Sequence, residues 1–111
     1  MFYNLIKAIF LVLFLTSCAA EYDWKKVKGS VYTREWHHVS KSEMYFICTG
    51  NTDIEAEEKK YPNLGACAFL YDDPCKIYSK FSEWVAQRIM SGDGLTLYEH
   101  EHKHCDGYIH Q

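Results

Sequence analysis

The first apolar block of the chain runs unbroken from Ala8 to Leu15, behind a single cation at Lys7. A membrane span needs roughly 20 apolar residues, so this shorter run has the length of a signal-peptide core. The next pattern is an alternation. Ser30 to Val39 places Val31, Thr33, Glu35 and His37 on one side and Tyr32, Arg34, Trp36 and His38 on the other. Its β-branched and aromatic residues predict a strand. Ser40 or Ser42 then caps a helix that carries Met44, Phe46 and Ile47 to Cys48 and stops at Thr49-Gly50-Asn51.

The charged stretch Asn51 to Leu64 reads as a solvated loop with a helical turn at Ile54–Lys59. Apolar Ala66 to Tyr71, the turn Asp72-Asp73-Pro74 and Cys75 to Tyr78 together predict a hairpin. Ser82 caps a helix over Glu83–Met90, whose Trp84, Val85, Ile89 and Met90 form a stripe expected to face the core. Past Ser91-Gly92-Asp93-Gly94, Leu95 to Cys105 is helical by pattern. Thr96 and Glu99 have capping-box spacing, with Asp93 as the alternative cap. The expected fold is α+β: one small domain over 30–111, a short antiparallel sheet packed on helices, with the last helix at its carboxyl end.

Composition narrows the function classes. The 111 residues carry 12 Lys+Arg against 15 Asp+Glu, a formal net charge of −3, which leaves no basic footprint for nucleic acid. A domain this small needs a staple, by disulfide or metal. Leu15-Thr16-Ser17-Cys18 resembles the bacterial lipobox. That resemblance implies a lipoprotein signal peptide at 1–17, Cys18 as the lipid attachment site, and a tether over 18–29 from which Trp24 and Val27 can dock. It also implies an extracytoplasmic domain anchored to the bacterial membrane by its lipid, on the periplasmic face of the outer membrane in a Gram-negative cell. In an oxidising compartment, Cys48, Cys67, Cys75 and Cys105 are disulfide candidates with three pairings open. A four-thiolate zinc site is the competing reading, and the absence of a Cys-x-x-Cys pair disfavours it.

The richest chemistry lies at the end of the chain, where His100, Glu101, His104, Gly107 and His110 spell H-E-x-x-H-x-x-G-x-x-H. Helix residues four apart differ by about 40° in direction, so His100 and His104 can share an ion. Glu101, about 100° round from His100, sits beside that ion as a base. Gly107 supplies a left-handed turn that lets His110 return as third ligand. His102, about 200° from His100, is expected to face away as a solvated surface residue.

The pattern resembles the long zinc signature of the metzincin metallopeptidases. No methionine follows Met90, so a minimal zincin without the clan's methionine turn is the expectation. The resemblance implies one Zn2+ held by His100, His104 and His110, with Glu101 as general base in peptide hydrolysis. Tyr108 is a candidate oxyanion donor. It further implies that an extended peptide or protein substrate pairs with an edge strand, for which Cys75–Tyr78 is the candidate. Two readings compete with the peptidase: a non-catalytic zinc-binding or structural envelope lipoprotein, and a metal-free lipoprotein whose tail is a polar helix.

Overall fold

In a computed structural model the described residues are 23–110. The expected signal peptide at 1–17 and the lipid attachment at Cys18 lie outside them. Side-chain caps set where the helices begin. The Ser40 hydroxyl accepts the Glu43 N–H at 3.1 Å and starts α1 (Lys41–Thr49), which Gly50 closes at a φ of 74°. Asp53 caps α2 (Ile54–Lys60) and Ser82 caps α3 (Glu83–Ala86). Thr96 and Glu99 form a complete reciprocal capping box at the head of α4 (Leu97–Cys105), so Thr96 rather than Asp93 is the cap.

The helix expected over Glu83–Met90 is one turn long and stops at Ala86. Trp84 and Met90 are 64% and 63% exposed, so the stripe is not core-facing as a unit. Met90 instead bridges to Thr96, and the two glycines that follow favour a turn over further helix.

Among the described residues there are also five short strands: β1 (Lys25–Lys26), β2 (Arg34–His38), β3 (Ala66–Phe69), β4 (Cys75–Ser79) and β5 (Tyr108–Ile109). The β3–β4 hairpin forms as expected, with Ala66 opposite Ser79 and Phe69 opposite Lys76. β2 joins the other side of β4 in parallel, Arg34 opposite Cys75, giving the order β2-β4-β3. Two expectations are thereby corrected: the sheet is mixed rather than antiparallel, and Cys75–Tyr78 is its centre rather than an edge. The reason is the crossover. α1 and α2 carry the chain away from β2, and β3 reverses it before β4, so β4 re-enters in the direction of β2.

Cys75, Ile77 and Ser79 alternate inward along β4, and none of the three is exposed to solvent. Val31 and Cys105 pack with Cys75 and Ile77, while Leu97 of α4 packs with Ala66 and Ala86. Trp36 joins both groups and donates its indole N–H to the Phe81 carbonyl at 3.0 Å. Disulfides link Cys48 to Cys67, tying α1 to β3, and Cys75 to Cys105, tying the centre of the sheet to the last residue of α4. No helix among the described residues is long and apolar enough to cross a membrane.

The amino-terminal stretch, read as tether, lies along the carboxyl-terminal one. Lys25 and Lys26 pair with Ile109 and Tyr108, Val27 N–H donates to Gly107 O at 2.8 Å, and Val31 N–H donates to Cys105 O at 2.8 Å. Gly107, at a φ of 98°, is doubly required, because a Cβ there would stand 2.0 Å from the Lys28 carbonyl oxygen.

Replacing Cys75 and Cys105 together by alanine removes a link that spans 30 residues. Urea denaturation of this double variant should show a loss on the order of 3–4 kcal/mol, and an unchanged midpoint would show that packing alone holds α4.

Candidate metal centre

One turn of α4 separates His100 from His104, and the Gly107 turn brings β5 back beside them with His110 just past its end. One ligand atom from each of His100, His104 and His110 lies within 4.8 Å of the others, so the three can hold a metal ion. The Nε2 atoms of His100 and His110 are 3.1 Å apart. Two nitrogens bound at ~2.0–2.1 Å to a tetrahedral ion stand about 3.3 Å apart, so this pair already has ligand spacing.

The other ring nitrogens are held from behind. His100 Nδ1–H donates to Asp93 Oδ2 at 2.9 Å, and His104 Nδ1–H donates to the Tyr108 carbonyl at 2.8 Å. Such outer bonds to a carboxylate or carbonyl fix the tautomer and aim of ligating histidines. Asp93's side chain is wholly inaccessible to solvent. Burial pushes its carboxyl up, but bonds from the Ser91 hydroxyl, the Leu95 N–H and His100 outweigh this and hold it below the usual range. Burial pushes the His104 imidazole down to about 4, with His100 and His110 adding to the effect, so its neutral, ligating form prevails at neutral pH.

Glu101 is 3% exposed and its Oε2 has no hydrogen-bond partner among the described residues. Burial, and then the neighbouring Asp93 carboxylate, push its carboxyl up to about 8. Glu101 and His100 line a cleft of about 580 Å³, together with Leu64, Ala66, Phe81 and Ile89.

His102 stays out of the cluster, as its helical phase predicts, but it is not a solvated surface residue. Its ring packs 4.2 Å from Tyr98 and 6.4 Å from Trp36, and Arg34 donates to its Nδ1 at 3.1 Å. The far face of α4 lies over the sheet, so a side chain pointing away from the ion points into packing instead. Burial, then the Arg34 charge, lower its basicity. Arg34 also donates to the Val31 and His102 carbonyls and pairs with Asp106. His37 sits elsewhere, against Glu35 at 3.0 Å. Tyr108 reaches the triad through its carbonyl, while its ring lies near Lys26 and Lys103.

Three contributors escape spacing rules. Asp93 and Arg34 act through tertiary contacts. Trp24, for which only a general docking was expected, has its ring centroid 5.0, 5.3 and 5.0 Å from those of His100, His104 and His110. Set against protein-family models, curated proteins and solved structures, the chain matches none of them.

Loss of the outer-sphere charge should weaken metal binding without removing the site. In a chelator competition, Asp93→Asn should bind one metal per chain with affinity lowered about 10–100-fold, and His104→Ala should lose stoichiometric binding.

Proposed function

We propose that the protein is a zinc-dependent peptidase of minimal zincin type, held by a lipid on Cys18 at the bacterial membrane in an oxidising extracytoplasmic space. The observation that carries this reading is Glu101: a buried carboxyl with an oxygen unpartnered among the described residues, adjacent in sequence to a histidine triad member and lining a cleft with it. A metal that only staples a fold needs no such group, and burying one unpaired costs stability. The two disulfides fit the oxidising compartment.

His100, His104 and His110 would hold the zinc, which when bound supplies a Lewis acid and acidifies water. Burial, and then the Asp93 carboxylate, hold the Glu101 carboxyl up to about 8, and a cation on the triad beside it would favour its ionised form. That carboxylate would accept the proton of the attacking water and return it to the leaving amine as the peptide bond breaks. Low solvent access around Glu101 and His100 keeps that transfer local. The strand suited to align an extended peptide is β3, not the central β4: among the described residues it pairs with a strand on one side only, it packs against α4, and its Ala66 lines the cleft.

One observation favours the second reading, a non-catalytic zinc-binding lipoprotein: the Trp24 indole lies against all three imidazoles. Glu101→Gln separates the two. The variant should keep one zinc per chain and cleave a mixed peptide library at least 100-fold more slowly than wild type. Zinc-loaded wild type with no cleavage above the Glu101→Gln background would establish the binding-only reading.

A further inference from the structure

The ring centroids of His100, His104 and His110 form a triangle with sides of 5.1, 4.9 and 5.0 Å. Trp24 stands 5.0–5.3 Å from each corner, so the four rings make a nearly regular tetrahedron with the indole as its apex. One whole face of the triad is therefore covered by a single side chain. That side chain stands immediately before β1, a strand of two exposed residues whose strand partner among those described is β5. Past β1, the Val27 N–H bond to Gly107 O holds the segment down, and Lys103 places its ammonium over the indole, 4.6 Å from the ring centroid.

A two-strand ladder this short is marginal by itself. The backbone pairing that carries the cover is thus a short one, while His100 and His104 beneath it are fixed by α4 and by outer-sphere bonds to Asp93 and the Tyr108 carbonyl. The cleft reaches the triad at His100 and is lined by neither His104, His110 nor Trp24.

We propose that residues Trp24–Val27 form a strap that gates the metal centre, with the Trp24 indole as its plug, so that an ion enters or leaves through the strap's displacement from β5. The inference rests on the reading of the triad as a zinc site, and it concerns regulation of that site rather than turnover.

The test is the rate of zinc exchange in the full, oxidised chain. Apo protein mixed with zinc in a stopped-flow instrument gives the entry rate. Zinc-loaded protein mixed with excess chromophoric chelator gives the exit rate. Trp24→Ala should raise both rates about tenfold or more. Val27→Pro keeps the indole but deletes the N–H that donates to Gly107 O, and should raise both as well. Circular dichroism and intact-mass disulfide counts establish that each variant is folded. A variant that speeds exit while its entry rate stays at the wild-type value would make Trp24 a supporting wall and overturn the gate. Unchanged exchange in both folded variants would overturn it equally. Wild type that binds no zinc would overturn the metal site and the gate together. Wild type that binds zinc without cleaving peptides would count against the peptidase alone, because the exchange rates need no turnover.

Discussion

His104 and His110 both depend on the carboxyl end of α4, and the covalent bond from Cys105 to Cys75 fixes that end to the central strand. His104 precedes the bonded residue, the Gly107 turn follows it, and His110 depends on where that turn points the chain. Arg34 reinforces the same point by donating to the His102 carbonyl and pairing with Asp106. Both anchors come from the sheet, from β4 and β2 respectively. The parallel pairing of those strands is therefore what places a cysteine and an arginine side by side under one helix terminus.

Against that support stands a costly interior. His100, Glu101 and the Asp93 side chain are all buried in a domain whose apolar core is divided between two small clusters. Burying an ionisable group is unfavourable unless it is paired, and Glu101 has an oxygen with no partner among the described residues. Two disulfides constraining the unfolded chain offset such a cost in a protein too small to do so by burial alone. Stability and site chemistry are thus supplied by different residues, although Cys105 and His104 are neighbours.

How much of this was legible in the sequence follows from how far each interaction reaches. The caps at Ser40, Ser82 and Thr96, the β3–β4 hairpin and the convergence of His100, His104 and His110 are set within about a dozen residues, and spacing rules reach them. The parallel β2–β4 pair was not legible, since nothing local to Arg34–His38 says which strand it will meet. Helical phase puts His102 on the correct side of the helix but cannot tell solvent from the packing that Trp36 and Tyr98 supply. Asp93 shows the same limit: its turn sequence suggested a cap, and only the fold reveals that its carboxylate backs His100.

The two ends of the described chain are structurally one unit, which changes what the amino-terminal segment is for. β5 has two residues, and its strand partner among those described is β1. His110, the one triad member outside α4, is thus placed by the Gly107 turn and by that pairing. An amino-terminal segment acting only as a spacer would need no hydrogen bonds to 105–109 and no indole on the triad. Here it has both, together with a glycine whose missing side chain makes room for Lys28. Displacing the strap would uncover the triad and loosen its third ligand in the same movement. Ligand capture and closure are then two consequences of one strand pairing.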